Sequence, residues 1–276
     1  MPICQRATIL HTEECKGNYC NGMGYKPGGA MKGSTITYGK LGNPGTLESG
    51  DAFDCDVNGD GIYDAETEKF YYVIDLDNNS DVAVLIYYNN VSEGKPSNDK
   101  YYQYYTLPEN WHGSENAIKQ LPTTSQWSNV TLVNSFIKII NEYGTTSTKD
   151  GHNFPKIFSY SKYAAHFLTM GEVRKLVDFY IPTWNNGELN DHLYLVENTN
   201  FSKKDNSKFD DFWLETPRNT MPSYAWIIYA TTRRVHSVKV QNTKVLIGVR
   251  PVIEVYKRIC YTNNILKKIT SYLVIF

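Results

Sequence analysis

Apolar residues along this chain fall into short runs rather than long periodic stretches. Phe70-Tyr71-Tyr72-Val73-Ile74 and Val82-Ala83-Val84-Leu85-Ile86-Tyr87-Tyr88 are nearly continuous aromatic and β-branched segments separated by the turn-forming Asp77-Asn78-Asn79-Ser80. That pattern predicts a well-buried hairpin. Phe212-Trp213-Leu214, Tyr224 to Tyr229, Val235 to Val240 and Val245 to Val255 repeat the theme between polar loops and predict further short strands. A smaller β-prone run, Thr35 to Tyr38, lies in Gly- and Thr-rich surroundings.

Helical spacing is rarer. Ser114 to Leu121 predicts a short helix with Ser114 as N-cap and Pro122 as the stop. Leu132 to Tyr143 places Val133, Phe136, Ile137 and Ile140 on one helical face and ends at Gly144, predicting a second. Thr169-Met170-Gly171-Glu172 is a capping box flanked by the apolar pair Leu168 and Val173, which predicts a third helix over about 170–180. Helices in the middle and strands at both ends imply an α+β fold whose first and last strands meet in one sheet.

The 276 residues suffice for one large domain or two smaller ones. With 28 Lys+Arg against 29 Asp+Glu, no global basic field exists to favour nucleic acid or an anionic membrane. No apolar run is long enough to span a bilayer.

Cysteine changes the picture. Cys4, Cys15, Cys20 and Cys55 crowd the first fifth of the chain, with no CxxC pair and no His at zinc-finger spacing. The surrounding Gly- and Asn-rich sequence is too poor in apolar residues to build a core, so the four are read as disulfide candidates, in any of three connectivities, with Cys260 left over. Reduced cytosolic thiols are the alternative. Disulfides imply an extracytoplasmic compartment, while Met1-Pro2-Ile3-Cys4 has neither the basic nor the apolar region of an export signal. The true N-terminus is therefore expected upstream.

Asp56-Val57-Asn58-Gly59-Asp60-Gly61-Ile62-Tyr63-Asp64 follows the first nine positions of a calcium loop. Calcium takes six to eight oxygen ligands, and alternate residues of a tight loop can point inward together. Asp56, Asn58, Asp60 and Asp64 would offer side-chain oxygens and Ile62 its carbonyl. Position 12 departs from the pattern: Thr67 stands there, straddled by Glu66 and Glu68. An Asp/Asn/Gly turn that binds nothing is the plain alternative.

Catalytic signatures are absent. The six His are scattered without an HExxH or other i,i+4 pair, and no GxSxG elbow, P-loop or GxGxxG occurs. Glu188 and Asp191 suggest a glycosidase pair only weakly, because such spacing more often marks a solvated face.

Tyr163-Ala164-Ala165-His166-Phe167-Leu168-Thr169-Met170-Gly171-Glu172-Val173, then Phe212-Trp213-Leu214-Glu215-Thr216-Pro217, Ala225-Trp226 and Gly248-Val249-Arg250-Pro251-Val252-Ile253 resemble the ordered signature of bacterial C-type-lectin-like domains. These are distantly similar to formylglycine-generating (sulfatase-modifying) factors and to variable proteins diversified by retroelements. The resemblance spans about 66–257. Residues 1–65 resemble a lead-in found in surface proteins of gut Firmicutes, sometimes behind a membrane helix that would lie upstream of Met1.

The resemblance implies a disulfide-stapled segment over 1–65, a C-type-lectin-like domain with short mixed or antiparallel strands over 66–257, and a tail over 258–276 that departs from the family. It also implies a ligand surface on the last strands and their loop, comprising Arg218, Asn219, Tyr224, Tyr229, Arg233, Arg234, His236 and Asn242. Aromatics with Arg and Asn suit recognition. Trp213 and Trp226 are expected in the core, and Arg250 with Glu215 as a structural ion pair. Formylglycine formation needs cysteine chemistry that the matching region lacks, so no catalysis is carried over. The expectation is a secreted or surface-bound, calcium-binding, non-enzymatic protein that recognises a glycan or protein ligand, of undetermined oligomeric state. Its rivals are a pilin-like structural subunit and a carbohydrate-active enzyme.

Overall fold

A computed structural model describes residues 3–6, 8–10, 35–37, 49–50, 52–62, 68–77, 79–97, 101–106, 114–139, 156–177, 187–189, 191–196, 211–218, 221, 223–241 and 247–256. In chain order the first strands are β1 (Cys4–Arg6), β2 (Thr8–Leu10), β3 (Thr35–Thr37), β4 (Ala52–Cys55), β5 (Lys69–Leu76), β6 (Asn79–Tyr87), β7 (Val91–Ser92) and β8 (Lys95–Pro96). There follow β9 (Phe136–Ile139), β10 (Lys156–Ser159), helix α1 (Met170–Leu176), β11 (Phe212–Pro217), β12 (Tyr224–Tyr229), β13 (Arg234–Lys239) and β14 (Val252–Tyr256). β1 with β4, β4 with β5, β2 with β3, β7 with β8, β9 with β10, β11 with β12 and β12 with β13 pair antiparallel, and helix is sparse among the described residues. The chain divides into two compact units: Met1–Leu85 with Ser128–Thr131 and Glu254–Phe276, and Ile86–Trp127 with Leu132–Ile253.

In the first unit, one sheet runs in the order β1-β4-β5-β6-β14, so N-terminal and C-terminal strands share a sheet as the α+β reading expects. The last residues of β6 and the first of β14 belong to the second unit. The apolar runs explain the two central strands: Phe70, Tyr71 and Val73 on β5 and Val82 to Leu85 on β6 are buried, which matches a strand covered on both faces. Cys4 and Cys55 face each other across the β1–β4 pairing and form a disulfide, with Cα atoms 4.0 Å apart and a sequence separation of 51. Cys15 and Cys20 lie outside the described residues.

The second unit corrects two helix expectations. Phe136–Ile139 is not helical; it is strand β9, paired antiparallel with β10. A short run of aromatic and β-branched residues satisfies either period, and here a partner rich in the same types, Ile157 and Phe158, decides for the strand. The segment after Ser114 forms only a 3-10 helix at Ala117–Gln120, preceded by Asn116 with no side-chain cap. The Ser114 hydroxyl is engaged elsewhere, as described below.

The third helix forms as the capping box predicts. Thr169 Oγ1 accepts from the Glu172 N–H at 3.2 Å, the Glu172 carboxylate accepts from the Thr169 N–H at 2.7 Å, and Leu168 and Val173 are buried. The helix stops at Leu176, where Val177 turns extended, short of the expected end. β11, β12 and β13 make a meander that buries Trp213 and Trp226 in the core. β7 and β8 join through Glu93 and Gly94, both with positive φ, the combination a two-residue type I′ turn requires.

A disulfide closing a loop of this length contributes about 4 kcal/mol by the chain-entropy account. Denaturant unfolding of the Cys4→Ser/Cys55→Ser variant should show a loss of that order; an unfolding midpoint insensitive to both the variant and reductant would contradict it.

Candidate functional site

The expected ligand surface lies largely on β12 and β13, whose register fixes which side chains meet. Ile227 pairs with His236 and Tyr229 with Arg234, so these side chains share one face of the ribbon. At its solvent edge the Tyr229 and His236 rings stand 5.8 Å apart, and Arg234 Nη2 donates to Glu188 Oε1 at 2.7 Å. Both partners of that ion pair are about half exposed, so it orients groups more than it stabilises the fold. Partial burial, and then the positive charge of Arg218, hold His236 below the ordinary imidazole range. The ring is therefore neutral at pH 7, with one donor and one acceptor nitrogen.

The alternating register sends the rest elsewhere. Tyr224 pairs with Lys239 and Trp226 with Ser237, on the opposite face. Arg218 is buried there, donating to Ser237 Oγ at 2.7 Å with its guanidinium 5.5 Å from the Trp226 ring centroid. Arg233 takes a left-handed conformation at the end of a 3-10 helix, and its carbonyl accepts from the Leu189 N–H. Asn219 and Asn242 lie outside the described residues. The structure thus gathers Tyr229, Arg234 and His236, and adds Glu188, which the sequence offered only as a doubtful acid.

The Asp56–Ile62 loop leaves β4 as a series of tight side-chain-to-backbone turns. Asp56 Oδ1 accepts from Gly59 N–H at 2.8 Å and its Oδ2 from Gly61 N–H at 3.1 Å. Asn58 Oδ1 accepts from Asp60 N–H, and Asp60 Oδ1 from Ile62 N–H, each at 2.8 Å. Gly59 and Gly61 have positive φ, as the coil requires. Ser128 and Asn129 brace the loop through the carbonyls of Asn58 and Asp56. Glu68, one position past the usual bidentate ligand, is buried and accepts instead from the Val57 N–H at 3.2 Å. Among the described residues no three of His, Cys, Asp and Glu converge on one point; Asp64 lies outside them. Each Asp56 oxygen still keeps a lone pair beyond its backbone bond, so the loop chemistry fits a hard cation.

Glu215 was expected to pair with Arg250, and the structure separates them. The Arg250 guanidinium is caged by backbone oxygens, donating to the carbonyls of Tyr87 (2.6 Å), Tyr194 (2.8 Å), Leu195 (3.0 Å) and Tyr88 (3.2 Å) over the Phe212 ring. Carbonyl dipoles solvate this buried guanidinium. Glu215, wholly buried on β11, is met instead by hydroxyls: Ser114 Oγ donates to its carboxyl at 3.1 Å, Tyr160 OH donates to the same group, and Tyr104 OH donates to its backbone carbonyl at 2.6 Å. Burial raises Glu215 to about 8, outweighing hydroxyl bonds that favour the charged form. Burial and Glu215 together push both tyrosines well above their usual range. A charged residue interrupting the apolar run Phe212-Trp213-Leu214 was the one sequence signal of this cluster.

Comparison with family models, with curated proteins and with solved structures yields no match.

Because Glu215 is raised above its unfolded value near 4.5, its contribution to stability is whole below that pH and is lost as pH climbs towards about 8. The wild-type protein should lose about 1.4 kcal/mol per pH unit across that window from this group alone, and Glu215→Gln should flatten the slope. Superimposable stability-versus-pH curves for the two proteins would refute the assignment.

Proposed function

We propose that this protein is a non-enzymatic recognition protein working outside the cytoplasm, with a C-type-lectin-like fold, that binds a glycan, or failing that a protein, on another surface. The observation that carries the reading is the exposed cluster on β12–β13, where the Tyr229 and His236 rings lie beside the Arg234–Glu188 pair. An aromatic face stacks on a sugar ring, while a neutral imidazole, a guanidinium and a carboxylate offer directed donors and acceptors at little entropic cost. The Cys4–Cys55 disulfide supports an oxidising compartment. Among the described residues, no helix is long and apolar enough to cross a membrane.

Calcium belongs to this reading as a structural ion held by Asp56, Asn58, Asp60, the Ile62 carbonyl and Asp64. Its role would be to fix the exposed loop rather than to touch the ligand.

Two measurements test these proposals. Screened against immobilised glycans, the wild-type protein should bind a subset, and Tyr229→Ala should weaken that binding by about tenfold or more. Absence of any glycan or protein ligand, together with filament formation, would favour the pilin-like rival instead. Saturating calcium should raise the melting temperature by several degrees, since 100-fold excess over Kd adds about 2.7 kcal/mol, and Asp60→Ala should remove the increment. A melting temperature indifferent to calcium and chelator would dismiss the ion.

A further inference from the structure

A cleft of about 490 Å³ opens in the second unit and shares no lining residue with the β12–β13 cluster. Its walls come from three chain segments that carry Tyr105, then Glu115, Asn116 and Lys119, then Ser159 and Tyr163. Each segment also carries the hydroxyl that reaches Glu215. Tyr104 is buried while Tyr105 lines the cleft; Ser114 is buried while Glu115 lines it; Tyr160 is buried while Ser159 lines it. Three neighbouring pairs are thus split the same way, one member bonded to Glu215 and the other facing the opening.

The backbone adds further ties. Asn116 Nδ2 donates to the Gln103 carbonyl at 2.9 Å and its N–H to the Tyr104 carbonyl at 3.3 Å, joining the first wall to the second. The Tyr105 N–H reaches the Val240 carbonyl, and the Tyr160 N–H the Ser135 carbonyl. The opening is therefore built before any ligand arrives, which reduces the ordering cost of binding.

Its chemistry selects a class of ligand. Two phenol rings supply apolar faces with polar tips, and a carboxylate, an amide, a hydroxyl and an ammonium supply donors and acceptors of both kinds. Glu115 and Lys119 carry opposite charges, so the lining has no excess formal charge to attract a phosphate or a polycation, and its apolar ring faces alternate with polar groups that a lipid chain would leave unpaired. A neutral polyhydroxylated molecule satisfies all of these groups, and the volume lies within the range of small-ligand sites. We infer that this cleft is a second ligand site, taking a short neutral oligosaccharide, and that Glu215 is the positioning residue that holds its three walls in register.

The test uses the full chain with cellotriose, maltotriose and triacetylchitotriose as probes and inorganic phosphate as the charged comparison. At least one trisaccharide should bind saturably, with chemical-shift changes in the unaltered protein at Tyr105, Asn116, Ser159 and Tyr163. Tyr163→Ala should weaken it by about tenfold or more, whereas in Tyr229→Ala the shift changes at Tyr105, Asn116, Ser159 and Tyr163 should persist whatever happens on β12–β13. Glu215→Gln keeps an acceptor for Ser114 and Tyr160 and should stay within about threefold of wild type, while Glu215→Leu should lose the site. Shift changes confined to β12–β13, loss of the cleft shift changes in Tyr229→Ala, binding of phosphate alone, or no binding of any trisaccharide would each overturn the inference. Loss in Tyr229→Ala alone would leave the β12–β13 reading standing, so the two sites fail separately.

Discussion

One carboxyl group without exposed surface organises the second unit. Glu215 is reached by hydroxyls from residues 55, 101 and 111 positions away in sequence, and nothing but the fold brings them together. Leaving such a group buried without partners would cost about 2–7 kcal/mol, so the Ser114 and Tyr160 hydroxyls are required as much as they are favourable. Being directional, they specify where each segment sits more sharply than apolar contact would. The Arg250 cage works by the same rule with opposite sign. A buried cation fastens Tyr87, Tyr88, Tyr194 and Leu195 through their carbonyls, so the unit keeps a buried acid and a buried base in separate polar nests.

Close packing around these nests leaves little room for change. At Gly248 an added Cβ would overlap the Asn90 side chain, whose amide donates to the Asp211 carbonyl. The Asp211 carboxylate in turn accepts from the Ala230 N–H at 2.8 Å, bracing the turn between β12 and β13. The groups exposed on that ribbon thus rest on a chain of buried polar contacts, which holds them in one geometry.

Local patterns were legible in the sequence and distant ones were not. The capping box of Thr169 and Glu172 acts over three residues, so its spacing states its bonds. The aromatic and β-branched runs of β5, β6, β11 and β12 declared their strands because burial on both faces leaves no polar alternation to misread. For Phe136–Ile139, three apolar residues around Lys138 satisfy two periods, and the deciding partner begins 17 residues later, at Lys156. For Ser114, local logic suggested a cap, while a carboxyl 101 residues away claimed the hydroxyl. The face shared by Tyr229 and His236 depended on strand register, which alternation suggests but only pairing fixes.

Glu215 is thus a buried acid held by hydroxyls rather than a partner of Arg250. Its most direct test is the carbon-13 shift of the Glu215 side-chain carboxyl, followed by NMR as pH is raised. The account predicts a titration midpoint near 8, whereas a midpoint near 4.5, as for an exposed or ion-paired glutamate, would contradict it.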